Sequence, residues 1–65
     1  MKADKAKLQL AMARACMSTA RLVEASGMPR PTLNKVTTGQ SVRPETIGIV
    51  ARTLGIDVAE ILADE

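Results

Sequence analysis

The sequence predicts an all-α fold of five short helices, and three observations carry that prediction. Apolar residues recur at three- and four-residue spacing in successive stretches: Leu8, Met12 and Ala15, then Leu33 and Val36, then Ile47, Val50, Ala51 and Leu54. Residues that cap helices stand ahead of such stretches, at Asp4, Ser18 and Asp57. Glycines that can turn a chain out of a helix stand at Gly27 and Gly55.

The first helix is expected from about Asp4 to Ala15. Asp4 either caps it or favours its positive N-terminal end. Leu8, Met12 and Ala15 share a face, with Ala11 and Cys16 beside them, and all are expected in the core. Lys2, Lys5 and Lys7 crowd its start. The second helix begins after Ser18, whose hydroxyl can accept from free backbone N–H groups, and it carries Leu22 and Val23 on one face. Gly27 ends it, because glycine enters the left-handed conformation without a Cβ clash.

The third helix is expected to start near Pro29. Pro29 and Pro31 flank Arg30, and proline is tolerated in a first turn, where the N–H has no helical partner. Met28, Leu33 and Val36 supply its apolar side. Arg30, Pro31, Asn34, Lys35 and Thr38 fall on the other side, which is polar and basic and holds no carboxylate. Two short helices meeting at one glycine, over about Thr19 to Thr38, form the pattern of a helix-turn-helix, whose second helix enters the major groove of DNA.

Thr37 to Arg43 reads as a loop. Pro44 and Glu45 open the fourth helix as a first-turn proline followed by an acid. Its buried face is Ile47, Val50, Ala51 and Leu54, and Gly55 closes it. Asp57 caps a short fifth helix, with Glu60 three residues on as in a capping box. Ile56, Val58, Ile61 and Leu62 crowd this segment. They exceed what one small subunit can bury, so they are expected to form a dimer surface rimmed by Asp57, Glu60, Asp64 and Glu65.

These motifs resemble the Cro/C1-type (lambda-repressor-like, XRE) helix-turn-helix family over roughly Leu8 to Leu62. Gly39 is similar to that family's glycine after the recognition helix, and Arg43-Pro44 to its basic-proline entry to the fourth helix. The run from Ile49 to Leu62 is similar to its closing helix-glycine-helix segment, and Met17 to the apolar anchor of its first loop. The resemblance implies one domain spanning residues 1–65 in the compact five-helix fold. It places Arg30, Pro31 and Lys35 at base-contacting positions, with Thr32 and Asn34 beside them. It places Thr19 at a phosphate position, and Thr38 and Arg43 are expected at phosphates too. Arg and Lys read the O6 and N7 acceptors of guanine well, and Pro31 can offer apolar contact to a thymine methyl.

Several residues depart from the family pattern. Cys16 stands where glycine usually ends the first helix, so it must accept a strained backbone or end the helix differently. Met12 and Thr37 stand where the family often pairs an arginine with a glutamate. Loss of both together strands no buried charge. Ser26 replaces an apolar residue and Val23 a small one, which implies looser packing between the second and third helices.

Composition bounds the function. The 65 residues include one cysteine, no histidine and no aromatic residue. A single Cys16 without His excludes an intrachain disulfide and a zinc site, and leaves no activated nucleophile. No cofactor, metal or small-molecule ligand is expected, and the protein is expected not to be an enzyme. A chain this size buries only about 60% of its unfolded surface, so a second subunit would help it. Residues 1–43 hold eight Lys/Arg against two acids, whereas residues 44–65 hold one against five. The basic half coincides with the helix-turn-helix and favours a polyanion. No signal peptide or membrane span is evident, and the expected location is the cytoplasm.

The expected function is therefore sequence-specific binding of double-stranded DNA by a transcriptional regulator, a repressor acting by promoter occupancy. A homodimer would meet a palindromic operator whose half-sites lie one helical turn, roughly 34 Å, apart. Similar small proteins are common on phage, plasmids and conjugative elements. The alternative is a small helical interaction module or an antitoxin-like protein that grips a partner. Such a face would present exposed apolar anchors, where the third helix presents Arg30, Asn34, Lys35 and Thr38.

Overall fold

A computed structural model describes residues 1–63. Four α-helices follow one another: α1 (Lys5–Arg14), α2 (Thr19–Ser26), α3 (Arg30–Thr37) and α4 (Pro44–Leu54). A single 3-10 turn, Val58–Glu60, follows them. The expected caps form. The Asp4 carboxylate accepts from the Lys7 N–H at 2.9 Å, and the Ser18 hydroxyl accepts from the Arg21 N–H at 3.2 Å.

The fifth helix is corrected to that one turn. Its start forms as expected: the Asp57 carboxylate accepts from the Ala59 N–H, and the Glu60 carboxylate accepts from the Asp57 N–H. It stops because its next backbone groups bond elsewhere. The Asp4 N–H donates to the Ile61 carbonyl at 2.8 Å, and the Ala63 N–H donates to the Lys2 carbonyl at 3.0 Å. Ala3 and Leu62 thereby form an isolated antiparallel bridge. A helix cannot grow through carbonyls already committed to another segment.

The arm of residues 1–4 is a tertiary feature with no local signal. Met1 and Val42 exchange hydrogen bonds, nitrogen to carbonyl at 2.9 Å and 2.7 Å. Ala3 is buried and pairs with Leu62. The arm thus ties the loop after α3 to the segment after the 3-10 turn.

Leu8, Leu22, Leu33, Val36, Ile47, Val50 and Ile61 fill the centre and are fully buried. Each lies on the face that helical spacing assigned, apart from Ile61. Among the described residues no charged or polar side chain is buried, and no buried side-chain polar atom lacks a partner. Met12 lies in the core, and half-buried Thr37 donates its hydroxyl to the Asn34 carbonyl at 3.2 Å. Neither position therefore holds a charge that burial would have to desolvate. Ser26 serves the turn. Its hydroxyl donates to the Val23 carbonyl and accepts from the Met28 N–H.

Cys16 is corrected from core to surface. It is exposed and adopts φ 56°, the left-handed conformation that Gly27 adopts at φ 73°. The Met17 N–H reaches back to the Met12 carbonyl at 2.9 Å, and the Cys16 N–H to the Ala13 carbonyl at 3.1 Å. These two bonds satisfy the end of α1 as a Schellman motif. A β-carbon in this conformation costs about 1–2 kcal/mol. Cys16→Gly should therefore stabilise the domain, by about 1 kcal/mol once the extra freedom of glycine in the unfolded chain is counted. Urea unfolding should show a higher midpoint at an unchanged slope. A lower midpoint would show that the thiol makes a stabilising contact.

Candidate nucleic-acid interface

α3 is positioned from two sides. Leu33 and Val36 are fully buried and seat the helix on the core, while Gly27 sets the angle at which it leaves α2. Pro29 forms its N-cap and Pro31 lies in the first turn, with no side-chain cap. Proline at these positions fixes backbone torsions before folding and gives up only N–H groups without a helical partner. Arg30 is consequently held at the first position of a rigid helix start.

The outward side of α3 matches the sequence expectation. Arg30, Pro31, Asn34 and Lys35 are exposed. Thr32 is half-buried at the edge of a hollow of about 340 Å³, which it lines with Lys35, Ser41, Val42, Arg43 and Thr46. Lys35 from the helix and Arg43 from the loop therefore face one concavity. Among the described residues none of Arg30, Lys35 and Arg43 forms an ion pair. Their charge is free for an external anion, and no carboxylate lines the hollow among the described residues.

Thr38 and Thr19 differ from this group. The Thr38 hydroxyl donates to the Asn34 carbonyl at 2.7 Å and accepts from the Gln40 side-chain amide at 3.1 Å. Its proton is committed within α3, so Gln40, whose amide keeps a second N–H, is the better placed donor at that end. Thr19 is the first residue of α2, half-buried, and lies outside the hollow. Beside it the free N–H groups that begin α2 suit a phosphate.

Sequence reasoning did not single out Ser41 or Thr46 as site residues. Neither belongs to α3, and only the approach of the loop and α4 to that helix brings them beside Lys35. The loop itself is anchored by the Met1–Val42 bonds, one residue from Arg43.

The expected dimer residues need correction at one position. Ile61 is 0% exposed and belongs to the core. Ile56, Val58 and Leu62 are half-buried and pack against that core. The Asp4 N–H also bonds the Ile61 carbonyl, which ties this residue to the start of the chain. Asp57 and Glu60 are exposed but hydrogen-bonded within the capping box, and Asp64 and Glu65 lie outside the described residues.

A family model of the Cro/C1-type HTH DNA-binding domain matches residues 7–65. The chain belongs to this family. As a Cro/C1-type domain it is a DNA-binding domain with double-stranded DNA as its partner, and α2 and α3 form its helix-turn-helix. Comparison with curated proteins and with solved structures gives no match. Among the described residues, no helix of this Cro/C1-type domain is long and apolar enough to cross a membrane.

Proposed function

We propose that this Cro/C1-type domain is a sequence-specific transcriptional repressor that occupies a promoter as a two-fold dimer on a palindromic operator. The observation that carries the reading is the outward face of α3. Arg30, Asn34 and Lys35 are exposed there, and among the described residues Arg30 and Lys35 form no ion pair, on a helix seated by Leu33 and Val36. Arg30, Pro31, Thr32, Asn34 and Lys35 are assigned to bases. Thr19, Arg43 and the Thr38–Gln40 pair are assigned to phosphates. Binding, with no chemical step, is the activity assigned. The proposed setting is the cytoplasm, with a phage, plasmid or conjugative element as the genetic context.

Binding to the DNA upstream of its own gene is the direct test. Gel shifts or fluorescence anisotropy should give a dissociation constant of about 1 μM or tighter at low salt. Affinity should then fall as salt rises, by about 0.9 log units per log unit of salt for each phosphate neutralised. The absence of binding both to that region and to a selected random library would overturn the proposal.

A further inference from the structure

One side of α4 is used by the core and the other is not. Ile47, Val50, Ala51 and Leu54 are buried. Glu45, Gly48, Ile49 and Arg52 line a strip on the opposite side, at the three- and four-residue spacing of one helix face. Two features of this strip have no purpose within a single subunit, and a third is a pair of charges that suit the helix dipole yet lack partners among the described residues. Ile49 is 42% exposed, although a β-branched apolar side chain gains nothing from solvent. Gly48 sits mid-helix, where glycine costs about 1 kcal/mol relative to alanine. Nothing in the subunit requires it, because a β-carbon there would meet no atom within 4 Å. Glu45 and Arg52 carry opposite charges two turns apart, and among the described residues neither forms an ion pair.

We infer that this strip is the self-docking face of the domain, α4 lying antiparallel against α4 of a second copy. The spacing is self-complementary. A two-fold axis through the midpoint of Gly48 and Ile49 sets each Ile49 over the bare backbone of the partner's Gly48. The same axis sets each Glu45 opposite the partner's Arg52, so both charges are matched twice. A parallel arrangement would instead oppose Glu45 to Glu45. The inference rests on the dimer reading proposed above and moves its axis from the 3-10 segment, whose Ile61 the core has taken, to α4. Arg43 and Thr46, at the start of α4, share the hollow with Lys35. An axis on α4 therefore sets the separation of the two recognition helices. One helix pair buries less than the roughly 1,200 Å² typical of stable complexes, so association is weak without DNA.

Sedimentation equilibrium of the full chain at high concentration, with thermal melts of each variant as a folding control, tests this. Ile49→Asp should weaken association about tenfold or more. Gly48→Ala should raise the melting temperature, through helix propensity, while weakening association, a pairing of effects that a solvent-facing glycine would not give. Glu45→Arg and Arg52→Glu should each weaken it several-fold, and the double reversal should restore it. Should Ile49→Asp misfold, the glycine and charge-reversal variants still decide. An association unmoved by these variants would overturn the α4 assignment and leave the dimer reading standing. A chain that stays monomeric and binds operator DNA one copy per site would overturn both.

Discussion

Ile61→Asp should leave the domain unfolded at room temperature. Ile61 is 0% exposed and packed in the same core as Leu8, Ile47 and Val50. Truncating a buried isoleucine costs about 2–5 kcal/mol. Placing a carboxylate in the resulting space adds several more, since no buried cation stands ready to pair with it. A chain of 65 residues has a total stability of about 3–10 kcal/mol at 0.05–0.15 kcal/mol per residue. The substitution exceeds or consumes it. Far-UV circular dichroism should show loss of helix and no cooperative urea transition. Ile61→Val, which removes one methylene and no polarity balance, should stay folded at a cost of about 1 kcal/mol. An Ile61→Asp protein that remained folded while losing only self-association would return this residue to an intersubunit surface.

Arg30→Ala and Lys35→Ala should together greatly reduce sequence preference with the fold intact. Both side chains are exposed and make no hydrogen bond or ion pair among the described residues, so their removal strands nothing. Each lost base contact costs about 1–3 kcal/mol, and the pair about 2–6 kcal/mol if the contacts are independent. That corresponds to roughly thirty-fold to above ten-thousand-fold in operator affinity, against a much smaller loss on random DNA. Thr19→Ala should lower affinity for all sequences by a similar factor, as a phosphate contact does. Competition between operator and random duplex separates the two behaviours. An Arg30→Ala variant with unchanged affinity and preference would show that the start of α3 does not enter the groove.

The sequence by itself determined the parts of this protein that depend on near neighbours. Asp4, Ser18 and Asp57 cap because a short polar side chain reaches an N–H two or three residues on, and these bonds form as expected. Leu33 and Val36 face inward and Arg30, Asn34 and Lys35 outward because helical spacing alone divides them. Gly27 turns left-handed because its own missing β-carbon permits it. The polar, basic face proposed to read DNA was legible for the same reason: it is one side of one helix.

Only the tertiary structure decided what depends on residues far apart in the chain. Ile61 is core, and the fifth helix is one turn because the first four residues fold back and take the Ile61 carbonyl. Ser41, Arg43 and Thr46 meet Lys35 because α4 and its loop return beside α3. Residues 42 and 1, or 62 and 3, carry no pattern that announces their pairing. Hydrogen bonds between such segments are selected by whichever packing satisfies the whole backbone, and that is a property of the closed fold.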